Sequence, residues 1–196
     1  MRYRKNMTHA LIQSMNDGSA VLFNKNPDFL SLSSHDQSWI FQRNIKCVAA
    51  MAGSLMIKSM NIDDDAGFSA ATELIFGTKI VHEEKIIAQL LDSDVDFMKF
   101  ALTMLIFSTL DCPESSMDNL ENTRRLMNIQ NKYVDMAWRF LLYRYGDQHA
   151  VKSFSKLIRC TFAAIRAVNM VADTNNSSIV NGSLNETMEF KSRTIQ

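Results

Sequence analysis

Between Cys47 and Met56 the chain reads CVAAMAGSLM, a stretch of apolar and small residues with no charge. It continues a helical pattern that opens near Ser33-Ser34 and starts amphipathic, with Trp39, Ile40 and Phe41. A helix that is apolar on every side has to be covered on every side, so it runs through the middle of a core. A capping-box pattern, Ser34 with Gln37 three residues on, marks its start. Upstream, Asn26-Pro27-Asp28 forms a turn, because proline pushes Asn26 out of the helical region and stops the preceding helix near Asn24. The long helix is expected over residues 34–60, with the other helices layered around it.

Composition agrees with an all-α chain. Of 196 residues, 46% are apolar, two are proline and six are glycine, too few for a fold of many tight turns. The length suits one domain, expected over residues 1–172. Residues 173–196 are polar and aperiodic and read as a tail, mostly disordered.

Apolar spacing gives the remaining elements. Residues 8–23 form a helix with Gly18 as a weak point. The polar loop 61–67 follows. Residues 72–81, β-branched around Gly77, suggest a small β-hairpin. Residues 83–91 and 93–107 are two helices, the second with Asp92 and Asp94 available as N-caps. Residues 109–117, containing Pro113, are a loop. The strongest period lies in residues 118–145, where Leu126, Ile129, Tyr133, Met136, Ala137, Phe140 and Leu141 share one face and Gly146 ends the helix. A last helix, 149–171, aligns Phe154, Leu157, Ile158, Ile165 and Val168.

Catalytic chemistry is hard to find. His9, His35, His82 and His149 have no partner at ligand spacing, and His82-Glu83-Glu84-Lys85 lacks the second histidine of a metalloprotease motif. Asp63-Asp64-Asp65 lacks the alternating ligands of a calcium loop and reads as a solvated turn. No phosphate loop, paired-cysteine motif or nucleophile elbow is present, so no enzyme, metal or cofactor is expected. Twenty-one basic and 21 acidic residues cancel, which gives no reason to expect direct nucleic-acid binding. Cys47, Cys112 and Cys160 are few and scattered, as in a reducing compartment. No signal peptide follows the basic start and no apolar run is long enough for a membrane span. Asparagines 175, 176, 181 and 185 lie in glycosylation-type sequons, which have no use without secretion. Ile87-Ala88-Gln89-Leu90-Leu91 fits a ΦxxLL pattern and reads first as a buried helix face. Thirteen methionines, including Met51, Met56, Met60, Met98, Met104 and Met136, suit either an adaptable apolar pocket or ordinary core filling.

One motif goes further. Pro27, Phe29, Leu32, Asp36 and Gln37 match, in order and spacing, the Pro-x-Phe-x-x-Leu-x-x-x-Asp-Gln signature that joins the third and fourth helices of nuclear receptor ligand-binding domains. Asp96-Phe97 with Ala101-Leu102 and Leu105-Ile106-Phe107 resembles that family's eighth helix, and Asp111-Cys112-Pro113 the loop after it. Ile129–Tyr133 with Tyr143–Tyr145 resembles the ninth helix, and Phe154–Ile158 with Ile165-Arg166 the tenth. The likeness covers residues 8–171 and is nearest the vitamin D receptor and xenobiotic receptor branch.

The resemblance implies a three-layer antiparallel α-helical sandwich and a role in transcription regulation, in the nucleus or cytoplasm. It implies a pocket for a small lipophilic ligand, steroid-like or xenobiotic, lined by Leu11, Met15, Met51, Leu55 and Phe76. It implies a groove for LxxLL-type coregulator helices, with Lys25, Phe29, Gln37, Phe41 and Gln42 at the matching positions. It implies a dimer interface on the last helix, at Phe154, Leu157, Ile158 and Ile165, for a retinoid X receptor-type partner. The chain departs from the family pattern at Asn24 and Gln42, where the groove's basic residues are usual, and in residues 184–190, which do not fit the activation helix. The cysteines of a paired zinc-finger domain are also missing. Two readings follow: a ligand-sensing receptor domain, or a ligand-free module that sequesters a receptor partner.

Overall fold

A computed structural model describes residues 2–62, 65–109 and 122–172, with the side chains of α1 described at Ala10 and from Gln13 onward. The expected loop 109–117, the Asp-Cys-Pro sequence and the tail from Asp173 lie, wholly or nearly so, outside the described residues, as do the side chains of His9 and Leu11. Every regular element among the described residues is a helix. They are α1 (Arg2–Asn24), α2 (Pro27–Leu30), α3 (Ser34–Ser59), α4 (Ala66–Phe76), α5 (Thr78–Leu90), α6 (Val95–Ile106), α7 (Thr123–Tyr145) and α8 (Asp147–Ala172).

The central element is α3. It packs against α1, α5, α6 and α8, while α7 lies outside it on α6 and α8, and α4 lies on α5 and α1. Ile40, Phe41, Ile45, Cys47, Val48 and Met51 are all buried along α3. Its apolar middle therefore meets protein on several sides, as an all-round apolar helix requires. Gly53 lets α1 approach there: a Cβ at this position would lie 1.5 Å from the terminal methyl of Met15.

Local chemistry sets the corners. Asn26 is extended (φ −83°, ψ 115°) ahead of Pro27, and its side chain accepts a hydrogen bond from the Phe29 amide. Residues 27–30 then make one helical turn, where the sequence suggested only a crossing. Ser33, one residue earlier than expected, caps α3 by accepting from the Asp36 amide at 3.1 Å. Gln37 does not close a capping box. Its amide instead donates to the carbonyls of Leu30 and Leu32, at 3.2 and 3.0 Å, tying α3 back to α2.

The expected hairpin at residues 72–81 is not formed. The segment is the end of α4, a glycine corner and the start of α5, with Gly77 at φ 84°. Thr72, Ile75, Ile80 and Val81 are buried. β-branched residues tolerate a helix at modest cost when burial compensates, and Gly77 supplies the positive φ that breaks the run into two helices. The first helix also begins at Arg2 rather than Thr8.

Two polar clusters fasten the outer helices. Asp28 on α2 receives Lys132 Nζ at 2.8 Å and the Tyr133 hydroxyl at 2.7 Å, both from α7. Asn26 donates to that same hydroxyl at 3.3 Å, and Arg125 donates to Ser31 at 2.9 Å. At the other end of α7, the Tyr145 hydroxyl donates to Asp94 at 2.6 Å, and Ser153 of α8 donates to Asp92 at 2.7 Å. The Lys132 contact first, with those of Tyr133 and Arg125, holds the Asp28 carboxyl below its usual range against the opposing pull of burial.

Replacing Asp28 by Ala should therefore destabilise the fold by about 1–2 kcal/mol, a figure reduced for the partial exposure of the pair. A carboxylate held low adds stability above its ordinary range and loses it on acidification. The wild-type advantage should be full at neutral pH and fade as pH falls below about 4. Urea titrations of both proteins across that window would measure it.

Candidate functional site

The features with most functional content are the outward face of α8, a cleft beside α1 and a small cavity under α4. Toward the protein, α8 presents Ala150, Ser153, Cys160, Ala163, Ala164 and Ala167, all buried. Small side chains let the helix lie close to α5 and α3. Arg166 locks it in place with two hydrogen bonds to Glu83 of α5, at 3.1 and 2.9 Å. Away from the protein, Val151, Ile158 and Phe162 are 59%, 55% and 51% exposed. Spaced seven and four residues apart, they fall on one stripe, which half-buried Ile165 extends. Large apolar side chains aligned this way form, among the described residues, an exposed seam about 20 Å long.

Of the four residues expected at the dimer interface, Ile158 lies fully on this seam and Ile165 on its edge. Phe154 turns inward, against Phe97 at 5.7 Å and Trp138 at 5.3 Å. Leu157 is half-buried against the core. Sequence reasoning missed Val151 and Phe162, because it took the longest apolar stripe as a single face. The alanines, which carry the weaker hydropathy signal, actually mark the inside.

The expected coregulator positions divide in the same way. Phe29 and Phe41 are core residues, 0% and 2% exposed, and both meet Phe23 edge-on at 5.3 and 5.0 Å. Gln37 is half-buried and spent on the Leu30 and Leu32 carbonyls, and exposed Gln42 donates to Ser38 at 3.3 Å. Lys25 is exposed and faces a different surface. With Leu22, Phe100, Tyr133 and Phe140 it borders an open cleft of about 540 Å³ between α1, α6 and α7.

The expected ligand-lining side chains are partly or fully buried where they are described. Met51 is fully buried, the Met15 tip rests against Gly53, and Leu55 and Phe76 are half-buried. None of these four borders the cleft just described or the cavity described next. That cavity, about 40 Å³, lies between α3, α4 and α5, and its walls include Ser54, Phe68, Thr72, Val81 and Glu84. Among the described residues none donates to or ion-pairs with the Glu84 carboxyl. By exposed area Glu84 is half-buried, yet burial pushes its carboxyl up to about 7. The two facts agree if the carboxyl sits on the inner wall of a cavity whose mouth meets solvent. The Cys160 thiol is likewise pushed up by burial, to about 12 despite Lys58 nearby, which leaves it protonated and inert at neutral pH.

Ile87 and Leu91 of the ΦxxLL pattern are buried, 0% and 3% exposed, so it is an inner helix face. Among the described residues there is no group of three or more metal-type side chains, and no helix long and apolar enough to cross a membrane. Comparison with protein-family models, with characterised proteins and with solved structures finds no match.

Glu84 makes stability depend on pH. A carboxyl raised from 4.5 to about 7 favours the fold fully below 4.5 and loses that contribution as pH rises to about 7. Glu84→Gln should remove this decline. The variant should be more stable than wild type by about 1–3 kcal/mol at pH 8 and nearly equal to it at pH 4.5. Thermal unfolding of both proteins across the range would check it.

Proposed function

We propose that the chain is a nuclear-receptor-like helical domain that regulates transcription by pairing with a receptor partner through α8. The observation behind this reading is the apolar seam Val151-Ile158-Phe162, which is exposed on a helix whose opposite face is locked to the domain. The central α3, covered from several sides, is compatible with the three-layer sandwich that the resemblance implies. The corner at residues 26–37, where the signature residues lie, also has a defined mechanical role here. Asn26 and Ser33 cap, Phe29 anchors and Gln37 ties. The tight packing of Met15 and Met51 favours the sequestering form of the proposal, in which pairing needs no ligand.

A ligand-sensing reading has one observation in its favour. The cavity beneath α4 is walled partly by Thr72 and Val81, from the segment expected to line a pocket.

Ile158→Glu and Phe162→Glu should each weaken pairing with a retinoid X receptor ligand-binding domain by tenfold or more, about 1.4 kcal/mol. Both side chains are exposed, so folding stability should change by no more than about 0.5 kcal/mol. Native mass spectrometry of the co-expressed chains, with thermal unfolding of each variant alone, separates loss of pairing from loss of fold. A self-dimer broken by the same variants would assign the seam to a second copy. A monomer under all conditions would overturn the proposal.

A further inference from the structure

Glu84 stands apart from the neighbouring groups that tie the helices together. Glu83, beside it, holds Arg166, and Lys58 of α3 donates to the Ala88 and Leu91 carbonyls at 2.9 and 3.2 Å. Glu84 has no such partner among the described residues, and it faces a cavity with apolar and hydroxyl walls. Thr72 points its hydroxyl hydrogen back at the Phe68 carbonyl, at 2.9 Å, which leaves the oxygen's lone pairs for the cavity. Ser54 is 5% exposed and borders the same space. Phe68 and Val81 complete an apolar rim. The polar side chains that border the cavity are thus the Glu84 carboxyl, the hydroxyls of Ser54, Ser69 and Thr72, and the Lys85 ammonium. The volume, about 40 Å³, holds roughly three water-sized groups and no drug-sized skeleton.

A carboxylate in an apolar recess is costly to ionise alone and favourable to ionise beside a cation that donates hydrogen bonds. An alkylammonium fits both the charge and the size: its head carries three donors, for the Glu84 carboxyl and the neighbouring hydroxyls, and its chain would lie along Phe68 and Val81. We infer that this cavity is the headgroup site for an amphipathic primary amine, bound as its ammonium form against Glu84, Ser54 and Thr72. The inference rests on the ligand-sensing reading above and names the class of ligand it would serve.

The charges around the site are few. Lys85, next in sequence and exposed, borders the cavity without pairing with Glu84. The wall residues from α3 and α4 are uncharged. Binding is therefore governed by Glu84, which must ionise to receive the ammonium. The amine itself stays charged to about pH 10, as lysine does. Affinity should rise about tenfold between about pH 6 and pH 8, the change in ionised fraction of a group titrating near 7.

The test uses octylamine, octanol and octanoate as probes in isothermal titration of the full chain, with wild type, Glu84→Gln and the cavity-filling Ser69→Leu. The expected result is that octylamine binds at least tenfold tighter than octanol, with the stated rise in pH, and that octanoate does not compete. Glu84→Gln should bring octylamine down to the octanol level, and Ser69→Leu should abolish both. Equal binding of amine and alcohol, unaffected by Glu84→Gln, overturns the amine site and leaves a lipophile-sensing domain standing. Binding of none of the three probes overturns the amine site and the ligand-sensing reading together. Far-ultraviolet circular dichroism of the variants confirms that each is folded before it is scored.

Discussion

The fold depends on how the chain turns from α1 into α3. Three phenylalanines, Phe23, Phe29 and Phe41, come from the end of α1, the single turn of α2 and the first turns of α3, and they meet edge to face in the core. Edge-to-face rings add specificity of angle to the burial of large apolar area. The angle at this corner decides where the 26-residue α3 is aimed, and α3 is the surface on which α1, α5, α6 and α8 are laid. The polar groups of the same turn face outward and take hold of α7. One short segment thus sets both the direction of the central helix and the seating of an outer one.

The functional surfaces follow from that arrangement. Because α7 and α8 are pinned at their shared corner, to Asp94 and Asp92, α8 has little freedom to roll. Its apolar stripe therefore points to solvent as a fixed property of the domain. The cavity under α4 has a different origin. The glycine corner at residue 77 separates two short helices, and short helices meeting a long one leave a wedge between them. The carboxyl of Glu84 occupies that wedge.

Much of this was legible in the chain. The apolar stretch 47–56 announced a central helix, Asp94 and Gly146 marked helix ends, and the Leu126-Ile129-Ala137-Leu141 period gave the inner face of α7. Met136, placed on that face, is 42% exposed, because a helix on the outside of a bundle buries a narrower stripe than its apolar residues suggest. Residues 72–81 misled because β-branched composition and a central glycine resemble a hairpin until tertiary burial decides between strand and helix. The groove positions misled differently. Phe29 lies in the signature and Phe41 four residues after it, but residue spacing is silent on whether a ring faces water or Phe23. The Glu84 cavity left no trace in sequence, since the groups that border it come from three helices.

The two sides of α8 also carry different evolutionary freedom. Its inner face is built from alanine, serine and cysteine packed close to neighbouring helices, and any larger residue there would push the whole helix outward. Its outer stripe is about half exposed, so exchange there disturbs the fold less. Among descendants of this sequence, the buried small residues would stay nearly constant while positions 151, 158 and 162 drift with whatever they meet. A single helix would then keep two clocks, a slow one for the fold and a fast one for its associations.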